Sequence, residues 1–469
     1  MTKFEKTIFN FLVPEKTDIQ ISGVSLNFIP IKTRVPLKFG SETLNSVTCA
    51  RVQVEVNKKD GTKSFGWGET PLSVQWVWPS SLSYQERLDS LLAFCEILCA
   101  DFHSFRDFGH ALELGHTFVF ERMPIKLSEF NSVFRDSKEP MPWLAALVCA
   151  SAFDLSLHDA YGMANEIPTY QTYNSSFLNS DLSNFIEPID KNNFSFENKT
   201  PADFLVHDLP NEIPVWHLVG GLDPLNQSEL SGNEPKDGYP QDLRGWIERD
   251  GLKCLKIKLR GNDSKWDYNR LVNVGKIGCE LGIEFLSADF NCTVTDPEYV
   301  NEILDQLKIN YQTIWDKVLY VEQPFPYDLE KTRIDVRSVV ERKPLFMDES
   351  AHDWKHVRMG LNLGWNGVAL KTCKTQTGAL LSLCWARAHG MQIMVQDLTN
   401  PMLAQISHVL LGFHAGTIMG VESNGMQFYP DASKNEAKVH PGVYQRREGV
   451  LDLSTIRGPG FGYRKNLID

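Results

Sequence analysis

The sequence predicts an α/β protein whose larger part is a barrel of parallel strands connected by helices. Eight short apolar runs alternate with helical stretches in the second half of the chain, which is typical of a parallel sheet. Charged residues end five of these runs, separated by 31, 33, 26 and 23 residues, and one strand-and-helix repeat of such a barrel takes about 30 residues. These five residues are Lys258, Asp289, Glu322, Asp348 and Lys371.

The N-terminal part is predicted to be α+β. Residues 51–57 alternate at period two, Asp60-Gly61 is a turn signal, and residues 64–69 follow, so we expect a β-hairpin. The preceding segment, 29–40, contains Pro and Gly and is predicted to be a mobile loop. Apolar residues at helical spacing predict a helix over 85–105.

A long helix and an irregular segment lead into the barrel. The helix is predicted over 143–159 with an end near Gly162, and its alanines allow close packing against a neighbouring element. Residues 173–210 are dense in Asn, Ser and Asp, which predicts a long irregular insertion. Long loops inside compact domains are usually functional or mobile.

The predicted barrel strands follow at regular intervals. Helical stretches such as 299–307, 356–361 and 379–389 lie between them. An open sheet is the alternative, but charged residues at so many C-terminal strand ends favour a barrel, whose chemistry lies at that face. The strands are 213–221, 252–259, 284–289, 318–322, 345–348, 367–371, 391–395 and 416–422.

Composition and charge limit the possible binding partners and the cellular compartment of the protein. The net charge of −12 argues against nucleic acid and anionic membranes as partners. The sequence contains no uninterrupted run of about 18 apolar residues, so no membrane span is predicted. The start of the chain does not resemble a signal peptide. The nine cysteines form no framework; Cys95 and Cys99 leave zinc as an alternative to buried free thiols. We therefore expect a cytoplasmic protein.

Three carboxylates at successive strand ends predict a divalent cation. Asp289, Glu322 and Asp348 would offer oxygen ligands and leave positions open, which suits Mg²⁺. Glu349 is adjacent to Asp348 and is an alternative ligand. The alternative is that these carboxylates cap strand ends or pair with lysines. That alternative explains any single carboxylate, but it explains less well why three of them end successive strands.

Lysines on two strands predict proton transfer. Lys256 and Lys258 are two apart on one strand, so their side chains point to the same face. Crowded cations lower one another's pKa, as does burial, and a lysine tuned toward neutrality is a competent base. Lys371 and Lys374 lie beside a helix start, where the helix dipole disfavours cations unless carboxylates or catalysis compensate. A solvated strand face is the alternative for Lys256 and Lys258.

Taken in order, these segments resemble the enolase superfamily. The N-terminal Gly66-Trp67-Gly68-Glu69 and residues 152–162 are similar as well, so the resemblance covers nearly the whole chain apart from 173–210. The barrel segments that carry it are Lys256-Ile-Lys258, Asp289-Phe-Asn291, Val321-Glu322-Gln-Pro324, Asp348-Glu349-Ser350 and Leu370-Lys371-Thr-Cys-Lys374.

The resemblance implies a modified TIM barrel, (β/α)₇β, with an N-terminal α+β capping domain. The expected parts are a capping domain over 1–140, a barrel over 141–425 with the insertion at about 173–210, and a C-terminal segment, 426–469, that returns to the capping domain. It also implies Mg²⁺, with Mn²⁺ as an alternative, on Asp289, Glu322 and Asp348. The oligomeric state stays open, although members of the family are often homo-oligomers.

The lysine pair also indicates a subgroup. The seventh strand ends Val395-Gln-Asp397 without the His of mandelate-racemase-like members, and Lys258 facing Lys371 resembles the muconate-lactonizing and dipeptide-epimerase subgroup. Two segments depart from that pattern. Thr375-Gln-Thr-Gly378 replaces the usual Gly-Gly, and Glu422-Ser-Asn424 replaces the Asp-X-Asp of many dipeptide epimerases.

The predicted reaction is removal of a proton α to the carboxylate of a small molecule, through an enediolate. With Lys258 and Lys371 on opposite faces of the substrate, racemisation or epimerisation follows. Lactonising or dehydrating activity, or a non-catalytic metal-binding relative, are the alternatives.

Further residues are predicted to bind substrate or cover the site. The segments 34–40 and 173–210 are the expected lids, because closure must exclude water from the intermediate. Four histidines, at 352, 356, 389 and 414, are interpreted as structural. The predicted substrate-binding residues are Lys256, Asn291, Glu349, Asp397 and Glu422.

Overall fold

The computed structural model describes residues 16–39, 42–207 and 210–468. The predicted start without a signal peptide, the end of the predicted 29–40 loop at Gly40 and two positions of the 173–210 insertion lie outside the described residues. The N-terminal region contains an antiparallel sheet with strand order β1-β2-β3. Its strands are β1 (Ile19–Phe39), β2 (Glu42–Lys58) and β3 (Lys63–Pro71).

The predicted hairpin is confirmed, whereas the prediction of a mobile loop over 29–40 is wrong. As far as Phe39, this segment is the second half of β1, and Ile31 pairs with Val47 and Leu37 with Leu44. A register shift between Lys32 and Leu37 contains Pro36. Since β1 is an edge strand, a proline there does not interrupt a ladder on both sides.

Helices of the N-terminal half pack on this sheet, and the predicted helices over 85–105 and 143–159 are confirmed. One π-helical turn over Thr117–Arg122 joins the third helix to the fourth. Ser83 caps the second helix by accepting a hydrogen bond from the Glu86 amide. The helices are α1 (Val74–Val77), α2 (Tyr84–Ser104), α3 (Ala111–His116), α4 (Met123–Phe134) and α5 (Trp143–Ala164).

The eight predicted barrel strands are present and pair in parallel, in the order β10-β9-β8-β7-β6-β5-β4-β11. The Ile418 amide donates to the Ile393 carbonyl at 2.9 Å, which joins the two ends of this order. The (β/α)₇β fold class is therefore confirmed. In chain order the elements are β4 (Glu212–Val219), α6 (Leu243–Asp250), β5 (Cys254–Lys258), α7 (Ser264–Glu280), β6 (Phe285–Asp289), α8 (Pro297–Asn310), α9 (Gln312–Lys317), β7 (Val318–Glu322), α10 (Arg337–Val340), β8 (Leu345–Met347), α11 (Trp354–Leu363), β9 (Gly367–Leu370), α12 (Gln376–Ala388), β10 (Gln392–Val395), α13 (Met402–Ala415) and β11 (Val421–Glu422).

The C-terminal segment follows the last barrel strand and contacts both the barrel and the N-terminal region. It contains α14 (Gly425–Phe428), α15 (Lys434–Val439), α16 (Pro441–Tyr444) and β12 (Val450–Asp452), and β12 pairs antiparallel with β4. Glu436 lies 3.6 Å from Arg51 of β2, and the Phe461 amide donates to Asp159 of α5 at 2.7 Å. The domain boundaries at 140 and 425 stay predictions.

The insertion is irregular, as predicted, but the structure contradicts its assignment as a lid. Glu187 accepts a hydrogen bond from the Trp385 indole, and the Val206 amide donates to His414, so the insertion packs against α12 and α13. None of its described residues lines the cavity at the C-terminal strand ends. Its buried aromatic and aliphatic side chains instead extend the barrel core.

Two composition-based expectations can be compared with the structure. All nine cysteines carry free thiols, and Cys95 and Cys149 each contact a backbone carbonyl of the neighbouring helix. Within the three described ranges, no helix combines the length and apolar character that crossing a membrane would need.

Candidate active site

The charged residues picked out in the sequence lie at one end of the barrel. Lys258, Asp289 and Glu322 end β5, β6 and β7, and the pairing sets Lys258 opposite Asp289 and Asp289 opposite Glu322. Asp348 and Lys371 directly follow β8 and β9. The structure therefore brings the five residues to the same end of neighbouring strands.

Lys256 is the centre of the ion-pair network beneath this end. Its ammonium nitrogen lies 2.6 Å from Glu322 Oε1, 3.0 Å from Glu422 Oε2 and 3.2 Å from Asp289 Oδ2. It also donates to Gln396 Oε1 at 2.7 Å. Because Lys256 is 1% exposed, this lysine neutralises buried carboxylates, and its role as a substrate-binding residue stays a prediction.

The two predicted catalytic lysines reach the cavity from different strands. Lys258 Nζ lies 2.5 Å from Asp289 Oδ2. Lys371 Nζ lies 3.2 Å from Asp348 Oδ2 and donates to the Asp397 carbonyl at 2.7 Å. Lys374 contacts the backbone carbonyls of Asp348 and Ala351, and its Nζ lies 3.7 Å from Asp348 Oδ1.

The expectation that crowding lowers the pKa is wrong for Lys256, and the pKa of Lys371 is raised as well. Burial acts to lower the pKa of both, yet carboxylates outweigh it: Glu322, Glu422 and Asp289 around Lys256, and chiefly Asp348 beside Lys371. The pKa of each is therefore raised. For Lys374, burial together with Lys371 lowers the pKa, and Asp348 only partly opposes them.

The strand-end carboxylates differ in their surroundings. Burial disfavours the charged form of Asp289, but Lys258 and Lys256 together lower its pKa to about 2. Burial raises the pKa of Glu322 well above its usual range, and the neighbouring acids Asp289 and Asp348 add to this. Ionised Glu322 therefore has less positive charge around it than full compensation requires.

The carboxylate set offers free oxygen atoms to a hard cation. Glu322 Oε2 and Asp348 Oδ1 are buried and accept no hydrogen bond. In the described part of the chain, no three acidic, His or Cys side chains are arranged as a complete metal-ligand set, and the Lys256 ammonium lies between the carboxylates. Buried carboxylate oxygens without a hydrogen bond on adjacent strands fit the chemistry of a divalent cation, although Asp348 Oδ1 lies 3.7 Å from the Lys374 ammonium.

Above these groups lies a small cavity of about 40 Å³. Its floor consists of charged side chains at the strand ends, and its roof is largely apolar and comes from the N-terminal region, the C-terminal end of β4 and the loop that follows β10. The floor residues are Lys258, Asp348, Lys371, Asp397 and Glu422, and the apolar residues are Leu37, Phe39, Leu44, Trp76, Leu218 and Leu398.

Asp397 and Glu422, predicted from the sequence, both line this cavity. Their oxygens already accept hydrogen bonds from the protein. The amides of Asn400 and Asn424 donate to Asp397, and the Asn424 side chain and the Asp397 amide donate to Glu422. Lys256 completes the partners of Glu422.

Glu349 and Asn291 lie at the edge of the site and bind each other. Asn291 has a left-handed backbone (φ 46°) and donates to Glu349 Oε1 at 3.1 Å. The same oxygen accepts a hydrogen bond from the Trp76 indole at 2.9 Å. Glu349 Oε2 is buried without a partner, so Glu349 stays an alternative cation ligand.

Trp76 is a site residue that the sequence analysis did not identify. The Lys371 and Lys374 ammonium groups lie 5.2 and 5.5 Å from the centre of its ring, within cation–π range. Trp76 belongs to α1, nearly 300 residues before Lys371 in the chain. No local pattern around it distinguishes it from a core tryptophan.

Two glutamines at strand ends were also missed. Gln323 Oε1 accepts hydrogen bonds from the Asp348 amide and from the Ser350 amide and hydroxyl, which fixes the loop after β8. Gln396 bridges Lys256 and the Tyr320 hydroxyl. Each directly follows a predicted strand end, so a search for polar as well as charged residues at those positions would have found them.

The departure from Gly-Gly after the sixth-strand lysines has a structural counterpart. Thr375 has φ 76° and ψ 147°, a backbone conformation that favours glycine. Its hydroxyl accepts a hydrogen bond from the Gly378 amide and caps α12. The chain thus keeps a glycine-like backbone at this position although its side chain differs.

Residues 239–466 match the family model described as enolase C-terminal domain-like. The barrel is therefore similar to the C-terminal domain of the enolase superfamily, and the resemblance drawn from the ordered motifs is confirmed. No curated protein sequence matches the chain significantly.

Solved structures share the fold over almost the whole chain. The N-succinyl Arg/Lys racemase of Bacillus cereus is 16% identical with a TM-score of 0.61, over 96% of this chain and 97% of that one. A dipeptide epimerase of Enterococcus faecalis, complexed with Mg and the dipeptide L-Leu-L-Tyr, is 15% identical with a TM-score of 0.61, over 94% and 99%. The muconate lactonizing enzyme of Pseudomonas fluorescens is 14% identical with a TM-score of 0.59, over 94% and 95%.

Proposed function

We propose that this protein is a Mg²⁺-dependent isomerase that removes the proton α to the carboxylate of a small molecule and returns it on the opposite face. The observation that carries the proposal is the placement of Lys258 and Lys371 around one cavity. Their strands, β5 and β9, are four apart in an order of eight, and therefore lie across the barrel from each other.

The carboxylates between the two lysines support the cofactor. Asp289, Glu322 and Asp348 belong to β6, β7 and the end of β8, the strands between β5 and β9. We propose that they hold Mg²⁺, with Mn²⁺ as an alternative. When bound, the cation would stabilise the dianionic enediolate and lower the pKa of the adjacent lysines.

The chain's own residues would perform the proton transfer. Lys258, as the neutral amine, takes the α-proton on one face of the substrate, and Lys371, as the ammonium, delivers a proton on the other; in the reverse direction the two lysines exchange roles. Asp289 and Asp348, which pair with these lysines, keep each side-chain nitrogen directed at the cavity. The apolar roof excludes water, which keeps bulk solvent from protonating the intermediate.

The relatives favour isomerisation over other outcomes. The solved structures with the same fold include a racemase and an epimerase, and one of them is complexed with Mg. A second outcome, lactonisation or dehydration, needs only one acting lysine; a muconate lactonizing enzyme has the same fold. Retention of Lys256, Lys258, Lys371 and Lys374, all buried, argues against a non-catalytic relative, because buried charges are costly to keep.

Exchange of the α-proton in D₂O tests the proposal. A panel of acid sugars, N-acyl amino acids and dipeptides would be screened by NMR with Mg²⁺ present. With an accepted substrate, Lys258→Ala should abolish exchange that starts from one enantiomer, and Lys371→Ala exchange that starts from the other. Each variant should lose about 10²–10⁴-fold in rate, the usual contribution of a general base.

Mg²⁺ affinity is the control, and it should stay nearly unchanged in both variants. Retained exchange of both enantiomers after either substitution would refute the two-lysine mechanism. If one variant loses exchange from both enantiomers and the other variant keeps it, the reaction uses a single base.

A further inference from the structure

As far as the described residues form it, the cavity has charge only on its floor. The charged side chains that line it all belong to C-terminal strand ends, and the N-terminal region contributes Leu37, Phe39, Leu44, Ser73 and Trp76, none of which carries a charge. Leu218 and Leu398 continue the apolar surface toward the barrel. A substrate carboxylate held at the floor would therefore direct the rest of the molecule into an apolar, uncharged surrounding.

A second anionic group on the substrate would find no partner there. Among the described lining residues, the cations are Lys258 and Lys371, and both belong to the floor. Both are already paired with carboxylates, Lys258 with Asp289 and Lys371 with Asp348. Burial of an unpaired carboxylate against the leucines and Phe39 would carry a large desolvation cost.

A cationic group on the remote part would be equally isolated. The acids in the lining are Asp348, Asp397 and Glu422. Asp348 pairs with Lys371, while backbone amides, Asn424 and Lys256 hold Asp397 and Glu422. These acids are thus engaged within the floor, away from the apolar roof.

We infer that the substrate is a monocarboxylate whose remote part is apolar and uncharged. The inference rests on the proposed function, because it assumes that the carboxylate binds at the charged floor. It makes Leu37 a specificity-determining residue: Leu37 is 4% exposed and belongs to the strand that forms part of the roof. Dicarboxylates and substrates with a remote ammonium group are disfavoured by the same surface.

A matched set of three carboxylates tests this inference without turnover. Hexanoate, adipate and 6-aminohexanoate share a six-carbon chain and differ at the far end, which is neutral, negative or positive. Binding to the full-length protein with saturating Mg²⁺ would be measured by calorimetry. The affinity for hexanoate should be at least about tenfold higher than for either charged analogue, because the roof leaves a remote charge unpaired.

A charge introduced into the roof should reverse the preference. Leu37→Arg should weaken hexanoate and favour adipate by bringing a cation to the remote carboxylate. Leu222→Arg is the matched control, because Leu222 is 57% exposed and does not line this cavity; it should leave the order of affinities as in the wild type.

The wild-type measurement decides the inference even if Leu37→Arg does not fold. Tighter binding of adipate or 6-aminohexanoate, or no binding of any of the three, would overturn it. Failure of the proposed function is distinguishable, because it is detected as α-proton exchange that survives the lysine substitutions, whatever the order of these affinities.

Discussion

At Lys256, one ammonium group serves three buried carboxylates. Glu322, Glu422 and Asp289 all lie within 3.2 Å of its nitrogen. Removal of one partner from a buried ion pair leaves the remaining charge without compensation, which costs about 3–5 kcal/mol. The lysine therefore compensates the charge of the three carboxylates and keeps them together.

Lys256→Met should lower the stability of the protein without Mg²⁺ substantially, by about 3–5 kcal/mol. Added Mg²⁺ should raise the melting temperature of this variant more than that of the wild type, since a cation would replace the missing charge. Lys253→Met is the matched control, because the Lys253 side chain is 46% exposed, and it should melt like the wild type. Equal melting temperatures of the two variants would contradict this account of Lys256. Differential scanning fluorimetry with and without EDTA provides the measurement.

At the scale of elements, the contact between β3 and α5 sets the position of the N-terminal sheet. Gly68 of β3 lies so close to α5 that a β-carbon on it would stand 2.1 Å from the Ala152 carbonyl oxygen. Gly66 is in the same situation against the Ala160 amide, at 2.2 Å. The strand and the helix therefore meet backbone to backbone, as the alanines of α5 predicted.

Gly68→Ala should destabilise the protein by about 1–3 kcal/mol or more, because the added methyl group forces the strand away from the helix. Gly23→Ala in β1 is the matched control; its nearest neighbour would be Glu55 Cβ at 3.3 Å. Thermal unfolding should show a clear loss for the first variant and little change for the second. Equal melting temperatures of the Gly68→Ala and Gly23→Ala proteins would contradict the close backbone contact between β3 and α5.

The elements that the sequence predicted well are those specified by local pattern. β7 runs over Val318–Glu322, as its apolar run between two helical stretches predicts. The 29–40 segment was mispredicted because Pro and Gly normally break structure, whereas here the prolines lie on an edge strand whose partner, β2, is not evident from the segment itself. The role of the 173–210 insertion depends on which helices it packs against, which no local pattern encodes.

At the scale of the whole molecule, the site joins two regions of different character. The floor was predictable, since parallel strands of a barrel bring their C-terminal residues to one face. The roof was not, because Leu37 and Trp76 reach the site only through the packing of the N-terminal sheet and α1 over the barrel. The placement of the charged residues could therefore be predicted from spacing along the chain, whereas the apolar surface above them required the structure.

The dependence of α-proton exchange on a divalent cation tests the central claim most directly. The wild-type protein would be stripped with EDTA, and exchange of an accepted carboxylate in D₂O would be followed by NMR before and after Mg²⁺ is restored. We predict exchange of both enantiomers with Mg²⁺, loss of exchange after stripping, and full recovery on readdition. Exchange that continues in the stripped protein would contradict the claim that Asp289, Glu322 and Asp348 hold a cation that this chemistry requires.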